Sequence, residues 1–147
     1  MNKILAVEDD ATQRYVLRIV LENFELNFEI VSSAEEALKE LFERSKNYAL
    51  VLMDIKLPGM DGFECAREIR KRQAEQGEGR IAIVAVTAFA SAEDRQFCLE
   101  AGMDDYISKP YTIEAFKSMI DKYLEPLRGY DDRSENDTLH SEGRAPH

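Results

Sequence analysis

The strongest constraint on this chain is a repeated change of period. Five short apolar-rich runs, Ile4–Val7, Phe28–Val31, Leu50–Met53, Ile81–Val86 and Tyr106–Ile107, are separated by segments whose apolar residues recur every three or four positions. Several of the runs are apolar throughout. A strand with one face in water alternates apolar and polar residues, whereas a strand buried on both faces does not. Strands of the second kind need cover on both sides of their sheet, and the intervening segments can supply it as amphipathic helices.

The helical signals are specific. Ala34, Ala37, Leu38, Leu41 and Phe42 make one apolar stripe, and Ser33 with Glu36 reads as a capping box at its start. Ser91 with Asp94 repeats that signal before a helix carrying Phe97, Cys98 and Ala101. Val16, Ile19 and Val20 predict a helix after the first strand, and Phe63, Ala66 and Ile69 predict one after Gly62. Phe116, Met119, Ile120, Tyr123 and Leu124 predict the last, which Pro126 should terminate. The order is therefore β-α, repeated about five times. It predicts an α/β fold with a mostly parallel sheet between two helical layers. A length of 147 residues favours a single domain and suits a doubly wound, flavodoxin-like (βα)5 arrangement with strand order 2-1-3-4-5.

Composition narrows the function. The 44 % hydrophobic content is enough for a real core, while a formal net charge of -10 and the lack of a basic block argue against nonspecific binding to nucleic acid or anionic membranes. The two cysteines, Cys65 and Cys98, form no CxxC pair and read as ordinary reduced thiols. Ile4–Val7 is too short for a signal-peptide core, and no apolar run reaches membrane-spanning length. The expectation is a soluble, cytoplasmic protein. After Leu124 large apolar residues become sparse, so residues 1–125 are expected to fold and 126–147 to form an acidic disordered tail, native or an expression remnant. Both histidines, His140 and His147, lie in that tail, which excludes histidine catalysis or ligation within the fold.

The informative polar residues follow the apolar runs. Glu8 and Asp9 come after the first, Asp54 after the third, Thr87 after the fourth and Lys109 shortly after the fifth. In an open α/β sheet the functional crevice lies beyond the carboxyl ends of the strands, so these distant groups should converge there. Clustered carboxylates repel one another unless a cation sits among them. An oxygen-only set suits Mg²⁺ better than Zn²⁺, with Asp9 and Asp54 as direct ligands and Glu8 binding directly or through a water. A carboxylate beside Mg²⁺ can act as nucleophile and form an aspartyl-phosphate. Phosphoryl transfer then asks for charge compensation on the equatorial oxygens, which Mg²⁺, the Lys109 ammonium and the Thr87 hydroxyl can provide.

Four motifs carry a family resemblance: Ile4-Leu5-Ala6-Val7-Glu8-Asp9-Asp10, Met53-Asp54-Ile55-Lys56-Leu57-Pro58-Gly59-Met60-Asp61-Gly62, Ala85-Val86-Thr87-Ala88 and Ala101-Gly102-Met103-Asp104-Asp105-Tyr106-Ile107-Ser108-Lys109-Pro110. Together, in this order, they resemble the receiver domain of two-component response regulators over roughly residues 3 to 124. The resemblance implies that Asp54 is the phosphoacceptor. It implies Asp9 as the direct Mg²⁺ ligand of the acidic pair with Glu8, and the backbone carbonyl of Lys56 as a third protein ligand. Thr87 and Lys109 become the switch hydroxyl and the phosphate-contacting lysine, and Tyr106 the aromatic that turns inward. Lys56 and Phe89 match positions that tune dephosphorylation, and the Lys109-Pro110 bond is expected to be cis. The implied function is a phosphorelay switch. A histidine kinase or histidine phosphotransfer protein donates the phosphoryl group, and a downstream protein reads the face made by the fourth helix, fifth strand and fifth helix. Such a domain catalyses only its own phosphorylation and dephosphorylation and is not otherwise an enzyme. Glu8 departs from the commoner aspartate, which bears on how it meets the metal. The stretch from Asp94 to Pro110 most resembles receivers of hybrid histidine kinases, yet Met1 directly precedes the first strand. A stand-alone regulator and an excised receiver both remain open.

Each residue also has an ordinary reading. Alone, Asp54 is a loop carboxylate, Thr87 a strand-end hydroxyl, Lys109 a solvated charge and Tyr106 a half-buried strand aromatic. Pro58, Gly59 and Gly62 read as turn residues, and Asp10, Asp61, Asp104 and Asp105 as caps or surface charges. Three other functions compete. A phosphatase of the haloacid dehalogenase type wants an acid two residues after its nucleophile, where this chain has Lys56. A flavodoxin-like cofactor binder wants a phosphate loop after the first strand, where Glu8-Asp9-Asp10 would repel a phosphate. A phosphorylation-independent pseudo-receiver usually lacks one of the site residues, and none is lacking here.

Overall fold

The five apolar runs pair into one parallel sheet. A computed structural model describes residues 3–44, 48–77, 79–88 and 91–128, the side chains of 125–128 excepted. Its elements are β1 (Lys3–Val7), α1 (Ala11–Asn23), β2 (Asn27–Val31), α2 (Ala34–Lys39, continued by a wider π-helical turn over Glu40–Arg44), β3 (Tyr48–Met53), α3 (Gly62–Gln76), β4 (Ala82–Thr87), α4 (Ala92–Glu100), β5 (Asp105–Ser108) and α5 (Ile113–Arg128). The strand order is β2-β1-β3-β4-β5, as expected for a flavodoxin-like (βα)5 arrangement, and every neighbouring pair is parallel.

The central strands are buried on both faces because successive side chains enter different cores. Leu5, Val7, Val51, Met53, Ile83 and Ala85 point to the layer of α2, α3 and α4. Ile4, Ala6, Leu50, Leu52, Val84 and Val86 point to α1 and α5. The period-2 geometry of a strand thus uses an unbroken apolar run to fill two cores at once. In α5 the stripe works as read, with Phe116, Ile120 and Leu124 fully enclosed. The edge strand β2 is mostly exposed or half-buried, consistent with Glu29 interrupting its run.

Several local expectations need correction. In α1 the inward stripe is Leu17, Val20 and Leu21, while Val16 and Ile19 are nearly half exposed. Apolar residues occupy so much of this helix that two registers fit the 3.6 period, and only packing against β1 and α5 chooses between them. Ser33 accepts from the Glu36 N–H as expected, but the Glu36 carboxylate turns to the Ser32 N–H rather than to Ser33. The full capping boxes belong to Ser91 with Asp94 and to Asp61 with Glu64. Helix α5 does not stop at Pro126 but runs to Arg128, so the expected boundary at residue 125 falls inside a helix. Pro126 has no N–H to donate to the Lys122 carbonyl, so the helix forgoes one bond there and continues for two residues. Residues 129–147, most of the expected tail, lie outside the described residues.

Asp104 and Asp105 are not plain surface charges. Arg70 of α3 donates to the carbonyls of Gly102 and Ile81, to Gln73 and to Asp104, which also accepts from Arg80 and the Ile83 N–H. This network ties α3 to the start of β4 and to the turn before β5. Asp105 accepts from Lys122 and from the Tyr123 hydroxyl, joining β5 to α5. The Arg70 side chain is 16 % exposed and that of Arg80 is 60 % exposed. Arg70→Ala should therefore cost about 3 kcal/mol by leaving enclosed acceptors unpaired, and Arg80→Ala less than about 1 kcal/mol. Urea unfolding of the two variants checks the contrast, and equal losses would refute it.

Candidate functional site

Three of the four buried polar side chains among the described residues lie just beyond or at a strand's carboxyl end: Glu8, Asp54 and Thr87. The ladder hydrogen bonds fix two of them. Glu8 N donates to the Val31 carbonyl at 3.0 Å and Asp54 N to the Val7 carbonyl at 3.1 Å, so each continues the sheet by one bond. Thr87 ends β4, and its carbonyl accepts from Lys109 N at 2.7 Å. That bond starts the turn which returns Lys109 to the site, and the Lys109-Pro110 peptide is cis, as the resemblance implies.

The carboxylates of Glu8, Asp9 and Asp54 converge, with oxygens within 4.8 Å of one another. Glu8 and Asp54 are buried and Asp9 is exposed, so the cluster opens to solvent on one side. Both oxygens of Glu8 are engaged: Oε2 accepts from the Asp10 N–H at 3.1 Å and Oε1 from Lys109 Nζ at 3.1 Å. Lys109 Nζ lies 3.9 Å from Asp54 Oδ2, an ion-pair distance beyond hydrogen-bond reach. Asp54 Oδ1 accepts from the Lys56 N–H at 3.2 Å. Burial, then the Glu8 charge, push the Asp54 carboxyl from 3.8 to about 7, against the opposing pull of Lys109. The cluster thus holds more negative charge than Lys109 alone offsets. Its oxygen donors and open side fit a hard divalent cation such as Mg²⁺.

The turn after β3 is held from below by α3. Asp61 caps that helix, and Gly62 N donates to the Ile55 carbonyl at 2.9 Å. A Cβ at Gly62 would lie 2.5 Å from the Asp54 carbonyl oxygen and 2.7 Å from Ile55 Cα. Gly62 is therefore more than a turn residue, because its missing side chain lets the helix start seat the Asp54 backbone. The motif pointed to a glycine here, but only the packing gives its reason.

The remaining site candidates divide. Tyr106 is half-buried on β5 against the α2–α3–α4 core, with the Arg95 guanidinium 4.9 Å from its ring centroid. Lys56 is exposed beside Asp54, and Phe89 lies outside the described residues. Gln13, which the sequence reading passed over, meets Lys109 Nζ through its amide oxygen. Its signal was faint, since a polar residue in the first turn of a helix is ordinary.

Comparison with known proteins agrees with this arrangement. Residues 4–121 match the response regulator receiver domain family. Hybrid signal transduction histidine kinase L of Dictyostelium discoideum is 36 % identical over 124 residues, covering 84 % of this chain and 7 % of that protein. The chain therefore spans a small part of that relative's length. The receiver domain of Saccharomyces cerevisiae Ssk1, solved with the histidine phosphotransfer protein Ypd1, superposes with a TM-score of 0.79 at 26 % identity, covering 86 % of this chain and 92 % of that one. The receiver domain of a Pseudomonas aeruginosa sensor histidine kinase, solved with a magnesium ion in its active-site cleft, gives 0.74 at 32 % identity, covering 84 % and 98 %. The chain belongs to the response regulator receiver domains of two-component signalling.

Proposed function

We propose that this receiver is a phosphorelay switch in which Asp54 accepts a phosphoryl group from a phosphohistidine on a kinase or phosphotransfer protein. The observation that carries the reading is the convergence of Glu8, Asp9 and Asp54 within 4.8 Å, with Lys109 beside them. Asp9, Asp54 and the Lys56 carbonyl would hold Mg²⁺, with Glu8 directly or through water. The bound ion would supply charge neutralisation at the transferring group. An Asp54 carboxylate oxygen attacks phosphorus, a P–O bond forms as the P–N bond breaks, and the imidazole leaves. Lys109 and the Thr87 hydroxyl offset charge on the phosphoryl oxygens. No further reaction is proposed for the domain beyond its own phosphorylation and dephosphorylation. The Ypd1 complex of the similar Ssk1 receiver supports a phosphotransfer partner, and the magnesium of the Pseudomonas receiver supports the cation. A phosphorylation-independent interaction module has less support, since no site residue is missing or displaced among those described.

The output is a population shift. Phosphorylation draws Thr87 and Lys109 toward Asp54, and the loop after β4 and Tyr106 follow. Tyr106 and Arg95 stack where α4 meets β5, so their rearrangement would remodel the face of α4, β5 and α5 that a partner reads. Thr87→Ala should leave phosphorylation measurable but remove most of the phosphorylation dependence of partner affinity, and an unchanged dependence in a titration would sink this step.

Intact mass after incubation with acetyl phosphate should show one phosphoryl adduct that requires both Mg²⁺ and Asp54. An adduct surviving in Asp54→Asn would move the site elsewhere, and one surviving Mg²⁺ chelation would remove the metal from the reaction. No adduct even with a competent kinase would favour the interaction module.

The raised Asp54 pKa also has a sign. The folded state binds this proton more tightly than the unfolded chain, so the contribution of Asp54 to metal-free stability is fully present below about pH 4 and is lost as pH rises through about 7. Asp54→Asn should therefore raise metal-free stability at pH 8 by about 2 kcal/mol, after allowance for partial solvent contact, and the gain should shrink toward pH 4. Paired urea titrations across that range test it, and a gain independent of pH would be the contrary result.

A further inference from the structure

We infer that Gln13 is a positioning residue for the phosphate-contacting lysine, an assignment that rests on the phosphorylation reading above. Gln13 sits in the first turn of α1, where its N–H donates to the capping carboxylate of Asp10 at 2.9 Å. Its amide oxygen accepts from Lys109 Nζ at 2.5 Å, across a sequence separation of 96 residues. The amide orientation follows from chemistry, because an ammonium only donates and so must face the oxygen.

An ammonium has three N–H donors. Two are used here, one by Gln13 and one by Glu8 Oε1 at 3.1 Å. The third is left for an oxygen delivered to Asp54, whose own Oδ2 lies 3.9 Å away. The lysine borders a cavity of ≈ 110 Å³ lined in part by Val16, Leu17, Val86 and Tyr111, and its side chain is 19 % exposed.

The choice of an amide matters. A carboxylate at position 13 would hold the ammonium too, but it would add a fourth negative charge beside Glu8, Asp9 and Asp54. Gln13 orients Lys109 without neutralising it, and it keeps its hold if Glu8 is drawn toward a cation. The ammonium then enters the transfer step already aimed, and less ordering remains to be done in the transition state.

Gln13→Met, nearly isosteric but without the oxygen, tests this. In the metal-free protein the ¹⁵N signal of the Lys109 ammonium should show slowed hydrogen exchange in wild type and faster exchange in the variant. With acetyl phosphate at saturating Mg²⁺, the variant should be phosphorylated about fivefold more slowly, with unchanged Mg²⁺ affinity and Tm. In a Lys109→Ala background the substitution should have no further effect. An ammonium signal indifferent to Gln13→Met, an unchanged rate, or the same loss without Lys109 would overturn the inference. Wild type that takes up no phosphoryl group, while its ammonium signal still depends on Gln13, would instead sink the phosphorylation reading and keep the contact.

Discussion

The ion pair between Glu8 and Lys109 spans 101 residues of sequence and closes only when the whole sheet is assembled. Glu8 hangs from the end of β1 and Lys109 from the turn after β5, with β3 and β4 between them. Every strand must stop at the right level for the two groups to meet beside Asp54. The chemistry of the site is thus a consequence of parallel pairing, in which all carboxyl ends face one way. The same pairing crowds three carboxylates together, and Lys109 is the cation that pairs with Glu8 and lies closest to Asp54 among the described ion pairs.

The crowded carboxylates are held in place by their surroundings. Asp54 N is pinned by the Val7 carbonyl, its Oδ1 by the Lys56 N–H, and its backbone by the close approach of Gly62. Repulsion among carboxylates would otherwise push the loops apart, since charged loops are cheaper in water than in a crevice. The energy comes from the two cores, where Phe116, Ile120 and Leu124 on one side and Ala66 and Ile69 on the other leave no accessible surface. Function here is a local cost carried by global packing.

Most of this was legible in the sequence, for a definite reason. Short unbroken apolar runs between amphipathic helices fit doubly buried strands, and in a parallel sheet the polar residues ending them emerge at one edge. Glu8, Asp9, Asp54, Thr87 and Lys109 followed from that rule together with the motifs. What escaped it depended on packing between elements. Val16 and Ile19 fit the helical period as well as Leu17 and Leu21 do, and only the seating of α1 against the sheet decides. Asp104 and Asp105 looked like loop charges because their partners, Arg70 and Lys122, lie in distant helices. The contact of Gln13 with Lys109 joins the first and last turns of the crevice, and no local pattern encodes a pair so far apart.

The two outlying networks bear on how a change at Asp54 would travel if the domain switches as proposed. The Arg70–Asp104 network anchors the turn entering β5, while the Asp105–Lys122–Tyr123 contacts fasten the start of β5 to α5. Between them, Tyr106 is held by the weaker stacking of Arg95 and is only half-buried. One end of β5 is therefore tied at two points, and the ring next to those ties is the looser element. On the switch reading proposed above, a displacement of Thr87 would be transmitted most cheaply where the restoring forces are smallest, at Tyr106 and the start of α4 rather than at the anchored turn. The proposed output face would then yield because its contacts are weaker than those that fasten the start of β5.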